Sequence, residues 1–147
     1  MFRKILYPTD FSDTAGKAIP FLKQLKDTGT EEIIILHIID TYRLRIPSIY
    51  TPTNLISFID KMLIEATAKA QKVADVLTDA GIGTRIRIEQ GLPFREILRV
   101  EDEEDVSIIV IGSHGRSNIE EMFLGSVSEN VMRKSKSPVL YCETIKN

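Results

Sequence analysis

The chain has 147 residues, 43% of them hydrophobic, and its 19 Lys and Arg against 21 Asp and Glu give a net charge of −2. A chain of this length can bury a core of its own, so we expect one domain over residues 1–147 that needs no disulfide or structural metal. Its one cysteine, Cys142, forms no internal bridge, and no apolar run approaches the roughly 18 residues that span a bilayer. A cytoplasmic protein without a membrane partner is expected. The near-neutral charge also lacks the basic footprint of a nucleic-acid binder.

The first forty residues predict two strands on either side of a short helix. Arg3 to Tyr7 is typical of a strand, and we expect Pro8 to stop its hydrogen-bonding ladder. Apolar side chains with helical spacing follow, and Pro20 among them predicts a kink or a late helix start. The run from Glu32 to Ile39 is almost continuously apolar, as in a central strand covered on both faces. We interpret His37 within it as a core histidine.

A long loop and a long helix come next. The loop from Asp40 to Thr53 exceeds what a compact connection needs, which makes it a candidate lid or partner surface. Arg43 and Arg45 would belong to that surface. Helical periodicity then runs from about Asn54 to Ala80.

The strand that follows alternates in polarity. Between Thr84 and Gln90, Ile86 and Ile88 share one face while charged side chains occupy the other, which predicts an edge strand with one solvated face. Pro93 opens the next helix. The acidic run Glu101 to Asp105 closes that helix, and we interpret it as a solvated surface; the alternative is a metal or partner site.

The remaining segments complete an alternating pattern. Val106 to Ile111 is a second apolar strand that ends at Gly112, Ser126 to Lys134 is helical, and Pro138 to Cys142 is a last strand. Five strands that alternate with helices predict a parallel sheet with right-handed crossovers, a three-layer α/β/α sandwich. Ligands of such folds bind outside the carboxyl ends of the strands, where the strand order reverses. The central strands end at Tyr7 to Asp10 and at Gly112.

Three of the eight glycines lie between the fourth strand and the next helix. Gly112 and Gly115 leave room for a ligand and let successive N–H groups converge on an anion. Gly125 and Ser126 then open a helix whose first N–H groups are unpaired and whose dipole favours an anion, and Ser128 adds a hydroxyl. These parts predict a phosphate cradle without a lysine, although spacing alone leaves open that each glycine only serves its turn. The chain carries neither a Walker-type nor a dinucleotide-binding glycine pattern.

The glycine spacing and the end of the first strand together resemble a known family. The pattern Gly112-x2-Gly115-x9-Gly125-Ser126, with Tyr7-Pro8-Thr9-Asp10 before it, is similar to the ATP-binding branch of the universal stress protein family over essentially the whole chain. The resemblance implies a Rossmann-like five-stranded parallel sheet in the order 3-2-1-4-5. It also implies ATP above the ends of the first and fourth strands, and Mg²⁺ or Mn²⁺ would accompany the nucleotide. The implied nucleotide-binding residues are Pro8, Thr9, Asp10, Ile38, Ile111, Gly112, His114, Gly115, Gly125, Ser126, Val127 and Ser128.

The resemblance also assigns roles within this site. It implies that Asp10 contacts the ribose, that the main chain at Ile38 faces adenine, and that the glycine-rich loop holds ribose and phosphates. Carboxylates that could hold Mg²⁺ beside a nucleotide are those of Asp10, Asp13, Glu120 and Glu121. Arg116 either reaches a terminal phosphate or lies on the surface. The resemblance implies a nucleotide-dependent switch or sensor in the stress response, and because no nucleophile elbow or catalytic triad is apparent, we expect at most slow hydrolysis.

Two other classes of function share the alternating α/β layout, and the resemblance also bears on assembly. A phosphoacceptor receiver is disfavoured because no acceptor Asp ends the middle strand. An interaction module of the same fold that does not use nucleotide is the alternative to the switch. The resemblance implies a homodimer through Val139 to Glu143, whereas Lys134, Lys136 and Pro138 would instead blunt that edge.

Overall fold

Five parallel strands alternate with helices along the chain and form one sheet. The computed structural model describes residues 1–12, 16–42, 52–112 and 125–142. The strands are β1 (Lys4–Pro8), β2 (Glu32–Asp40), β3 (Gly83–Gly91), β4 (Ile108–Gly112) and β5 (Val139–Cys142). The helices are α1 (Ile19–Leu25), α2 (Pro52–Asp79), α3 (Pro93–Glu104) and α4 (Ser126–Lys134), and a 3-10 turn, Lys26–Thr28, follows α1. The strand order is β3-β2-β1-β4-β5, which confirms the expected architecture and order.

The central strand β1 is apolar on both faces, and both faces are covered. Ile5 is in register with Ile33 of β2 on one side and with Ile108 of β4 on the other. Ile5 and Leu6, which point to opposite faces, are both fully buried. A strand with this pattern is stable only between two neighbours and two layers of helices.

The sheet separates two hydrophobic cores. On one face, α1 contributes Leu22 and α2 contributes Leu77 to a core that includes Tyr7. On the other face, α3 contributes Val100 and α4 contributes Val131. The two helices that follow β1 and β2 thus lie opposite the two that follow β3 and β4, as right-handed crossovers require when the strand order reverses at β1.

The two prolines near the start of the chain behave differently from each other. Pro20 lies in the first turn of α1, where a missing N–H costs no helical hydrogen bond, so the prediction of a kink or a late helix start is confirmed. β1 ends at Pro8, as expected, and its pairing with β4 extends no further than Leu6, but the bonds to β2 continue one step beyond the proline: the N–H of Thr9 donates to the carbonyl of Leu36 at 2.9 Å. Alternate N–H groups of a strand point to opposite neighbours, so the donor that Pro8 lacks is not one of the bonds to β2.

The acidic run at the end of α3 is not simply a solvated surface, and the sequence interpretation of it is wrong at two positions. Glu101 is only 5% exposed. Its Oε1 accepts hydrogen bonds from Ser135 Oγ at 2.6 Å and from the N–H groups of Lys136 and Ser137 at 3.0 and 2.8 Å. These donors lie in the turn between α4 and β5, more than thirty residues away, so the local charge pattern could not reveal them.

The second exception is Glu104, which joins an ion-pair network over the outer face of β3. Arg85 donates to both Glu32 and Glu104, and Arg87 donates to Glu104 at 2.9 Å. The hydrogen bonds from Arg85 hold the pKa of Glu104 down at about 2, against burial that would raise it. β3 is an edge strand, as predicted, but its charged face is covered in part by the acidic end of α3 rather than only by water.

Within the described ranges, no helix is both long enough and apolar enough to cross a membrane.

Candidate functional site

Strand pairing brings three of the predicted site segments to one edge of the sheet. β1 pairs with β4 at an offset of 103 residues (Ile5 with Ile108), and continuing that register places Thr9 level with Gly112. β1 pairs with β2 at an offset of 28 residues (Pro8 with Leu36), which places Asp10 level with Ile38. The strand order reverses at β1, so these residues lie at the position where doubly wound sheets bind ligands.

The turn after β1 has an uncommon backbone conformation held by local hydrogen bonds. Phe11 has a φ of 62°, in the left-handed region that bulky residues rarely adopt. The N–H of Phe11 donates to Thr9 Oγ1 at 3.0 Å, and the N–H of Ser12 donates to Asp10 Oδ1 at 2.9 Å. These bonds fix the turn and leave the carboxylate of Asp10 exposed at the end of β1.

His37 positions this turn, a role that the sequence did not suggest. Its Nδ1–H donates to the carbonyl of Thr9 at 2.9 Å, and its ring lies 4.6 Å from the ring of Phe11, centroid to centroid. Burial lowers the pKa of His37, which favours the neutral imidazole. The histidine is satisfied, as expected, but it is half-buried beside the site and not in the core. This role follows from the position of His37 opposite Thr9 in the sheet, which can be recognised only once the pairing of β1 with β2 is known.

The first turn of α4 provides backbone donors that no side chain caps. Gly125 precedes the helix, and the N–H of Glu129 is the first to bond back, to the carbonyl of Gly125 at 2.9 Å. The N–H groups of Ser126, Val127 and Ser128 therefore have no acceptor within the helix. The helix dipole adds partial positive charge at the same end, so this turn is suited to an anion.

Apolar side chains lie between the strand ends and α4. Ile38, Ile111 and Val127 all pack against the core that α3 and α4 share, and Ile38 and Val127 remain partly exposed. Pro8 is buried at the end of β1. A partly apolar surface beside hydrogen-bonding groups is the usual composition of a small-molecule site.

Several predicted residues lie outside the described part of the chain. Among the predicted nucleotide-binding residues these are His114 and Gly115; the others are Asp13, Arg43, Arg45, Arg116, Glu120, Glu121 and Glu143. The structure brings together the remaining predicted site residues from β1, β2, β4 and the start of α4. Among the described residues, no three His, Cys, Asp or Glu side chains gather into a group that could hold a metal ion.

These features define a class of protein: a doubly wound α/β domain with a candidate ligand site at the reversal of its strand order. The model of the Universal stress protein family matches residues 1–142, and the chain belongs to this family.

Individual relatives agree with this assignment. Universal stress protein MJ0577 of Methanocaldococcus jannaschii is 38% identical over 95% of this chain and 94% of its own, and its solved structure matches with a TM-score of 0.88. Universal stress protein YxiE of Bacillus subtilis is 33% identical over 95% of this chain and 98% of its own. A universal stress protein solved in complex with cAMP is 26% identical and covers 98% of both chains with a TM-score of 0.61.

Proposed function

We propose that this chain binds ATP, accompanied by Mg²⁺ or Mn²⁺, across the ends of β1 and β4 and acts as a nucleotide-dependent switch or sensor in the stress response. One observation carries the proposal: the exposed carboxylate of Asp10 and the uncapped first turn of α4 lie at the reversal of the strand order. A ligand that joins them needs hydroxyl groups at one end and negative charge at the other. A nucleotide has both.

The nucleoside end of the ligand fits the β1–β2 side. The carboxylate of Asp10 is an acceptor for ribose hydroxyls, and the main chain at Ile38, level with Asp10, provides hydrogen-bonding groups for an adenine edge. The cAMP complex of a family member supports an adenine nucleotide as the ligand class.

The phosphate end fits the β4–α4 side. The N–H groups of Ser126, Val127 and Ser128 would bind phosphate oxygens together with the serine hydroxyls, and Gly112, His114 and Gly115 would complete the cradle. Asp10 is the described carboxylate best placed to share a divalent cation with the phosphates, since Mg²⁺ commonly uses one or two carboxylates plus phosphate oxygens. The cation then offsets phosphate charge that backbone groups alone neutralise incompletely.

We propose at most slow hydrolysis. Efficient phosphoryl transfer to water needs a residue that orients the attacking water and a fixed cation that stabilises the transition state. No motif of this sequence identifies a water-orienting residue or a site for a fixed cation. Binding and release of the nucleotide would therefore be the functional event.

Bound nucleotide and calorimetry test the proposal. Heat-denatured purified protein should release an adenine nucleotide that chromatography identifies, and Mg-ATP should bind the nucleotide-free protein with a micromolar dissociation constant, about 8 kcal/mol. A phosphate-release assay should give turnover far below that of a dedicated ATPase. If no nucleotide is released and the calorimetric titration is flat, the chain is instead an interaction module of the same fold.

We further propose a cytoplasmic location and a homodimer. Cys142 is buried at 3% exposure and burial raises the pKa of its thiol, which suits a structural cysteine in a reducing compartment. β5 is at an edge of the described sheet, and a second copy could pair with it.

A further inference from the structure

A second cleft lies on the opposite side of β1 from the proposed phosphate cradle. It has a volume of about 490 Å³ and lies between the turn after β1, the start of α1 and the middle of α2. Tyr7 and Thr9 border it, and Tyr7 belongs to the core that α1 and α2 cover. Ile38, Ile111 and Val127 of the nucleotide site belong to the other core. The turn after β1 therefore borders both sites, Thr9 being common to them, whereas their apolar linings belong to different cores.

Three lysines line this cleft from both walls. Lys17 comes from the α1 side, whereas Lys69 and Lys72 are three residues apart on one face of α2. No Asp or Glu is among the described residues that line it. Within the described part of the chain, none of the three ammonium groups has an ion-pair partner within 4.0 Å. This contrasts with the arginines of β3, each of which contacts several carboxylates.

The rest of the lining is apolar or carries hydroxyl groups. Phe11, Ile19 and Val73 supply apolar surface, and Ser12 supplies a hydroxyl. Like charges around a concave surface raise the local concentration of counter-ions. The volume falls in the range of small-molecule sites and is too small for a folded partner.

We propose that this cleft binds a small organic phosphate monoester, a dianion with a compact apolar body. Three lysines around one cleft suit a dianion, because lysine binds phosphate as a point charge without a fixed geometry. A monocarboxylate would leave most of the positive charge unneutralised. The apolar surface contacts the body of the ligand, so a phosphate ester binds more tightly than inorganic phosphate.

Phenyl phosphate is a suitable probe, since it is dianionic above a pH of about 6 and carries a compact ring. Titrated by NMR into uniformly ¹⁵N-labelled protein at pH 7.5, it should bind with a dissociation constant below about 1 mM. The amide signals of Gly16, Lys17, Lys69 and Lys72 should shift. Inorganic phosphate should bind more weakly, and phenol should not compete.

A matched pair of variants separates this site from general electrostatics. Lys69→Gln/Lys72→Gln should weaken phenyl phosphate binding about tenfold or more, as loss of two charge-assisted contacts requires. Lys23→Gln/Lys61→Gln removes the same charge from exposed positions on α1 and α2 outside the cleft and should leave the affinity unchanged. Both variants should keep the wild-type unfolding temperature because all four side chains are exposed.

Three results would overturn the proposal. The first is no binding of phenyl phosphate at millimolar concentration, and the second is an equal effect of the two double variants. The third is a set of shifts confined to Gly112 and Ser126 to Ser128, which would assign the phosphate to the nucleotide site instead.

Discussion

At the scale of single residues, the turn after β1 has a strained backbone that neighbouring residues hold in place. The left-handed conformation of Phe11 costs on the order of 1–2 kcal/mol, and it persists because its neighbours fix it. Thr9, Asp10 and His37 each take part in a hydrogen bond within or onto this turn. Such a turn presents Asp10 in one orientation before any ligand binds, which lowers the ordering cost of binding.

The first prediction concerns the charge of Asp10. In Asp10→Asn the amide oxygen can still accept from the N–H of Ser12, so the turn persists while the negative charge is lost. We expect the affinity for Mg-ATP, measured by calorimetry, to fall about tenfold, because hydrogen bonds to a charged group contribute roughly 1.5–3 kcal/mol. Unchanged thermal unfolding serves as the control. Wild-type affinity in this variant would remove Asp10 from the site.

A second prediction compares neighbouring acids of α3. Glu101→Ala removes a buried carboxylate that accepts three hydrogen bonds from the turn before β5, so the free energy of unfolding should fall by about 3 kcal/mol. Asp102→Ala breaks only a pair with Lys136 whose side chains are 70% and 80% exposed, and should cost less than about 0.5 kcal/mol. Urea titrations measure both values. Equal losses would mean that Glu101 does not tie α3 to this turn.

At the scale of elements, the edge strand β3 is held by charge as well as by its ladder. Arg85 and Arg87 project from its outer face toward the end of α3, and the carboxylate of Glu104, with its side chain 12% exposed, accepts from both. A network of this kind contributes more than isolated surface pairs because each side chain is already fixed by another partner. It also blunts the edge of the sheet against pairing with other chains.

The third prediction follows from the low pKa of Glu104. Because the folded-state pKa of about 2 lies below the ordinary value of 4.5, the folded protein favours the ionised form. This contribution to stability is present above pH 4.5 and is lost as the pH falls toward 2. Glu104→Gln should therefore be less stable than wild type at pH 7 and show a shallower decline in unfolding free energy across that interval. Glu31→Gln, in an exposed pair with Arg3, is the control and should retain the wild-type slope.

At the scale of the whole molecule, the two sheet edges differ. β3 is paired along its full length with β2 and carries the arginine network, whereas β5 is a four-residue strand with half-buried Val139 and Leu140. The N–H of Ile109 in β4 donates to the carbonyl of Pro138. Because successive N–H groups of a strand point to opposite sides, the N–H of Leu140 points toward β4 and that of Val139 points outward. The outward amide is available to a second copy of the chain.

The fourth prediction tests the proposed dimer at this position. Val139→Pro removes the outward N–H while keeping the bonds to β4, and should convert the dimer to a monomer in light scattering coupled to size-exclusion chromatography. Val139→Ala shortens the side chain but keeps the amide, and should remain dimeric. A monomeric wild type, or a dimeric Val139→Pro protein, would place any self-association elsewhere.

Much of the fold followed from the sequence because apolar runs constrain burial directly. The segments around Ile33 to Ile39 and Ile108 to Ile111 have no polar face, so they belong in the middle of a covered sheet. Alternation at Ile86 and Ile88 identified an edge for the same reason. The strand order came from resemblance to a family, since hydrophobic periodicity does not encode which strands are neighbours.

The sequence by itself determined the elements and the parallel sheet, because these depend on local periodicity, and its motifs at strand ends supplied, through the family resemblance, the residues proposed for the nucleotide site. Only the tertiary structure decided the roles of His37, Glu101 and the three cleft lysines. Each depends on a partner far away in the chain: His37 bonds to Thr9 across 28 residues, Glu101 to Ser135 across 34, and Lys17 faces Lys69 and Lys72 across one cleft. Burial and pairing of polar groups are set by which distant segments meet, and a local charge pattern does not contain that information.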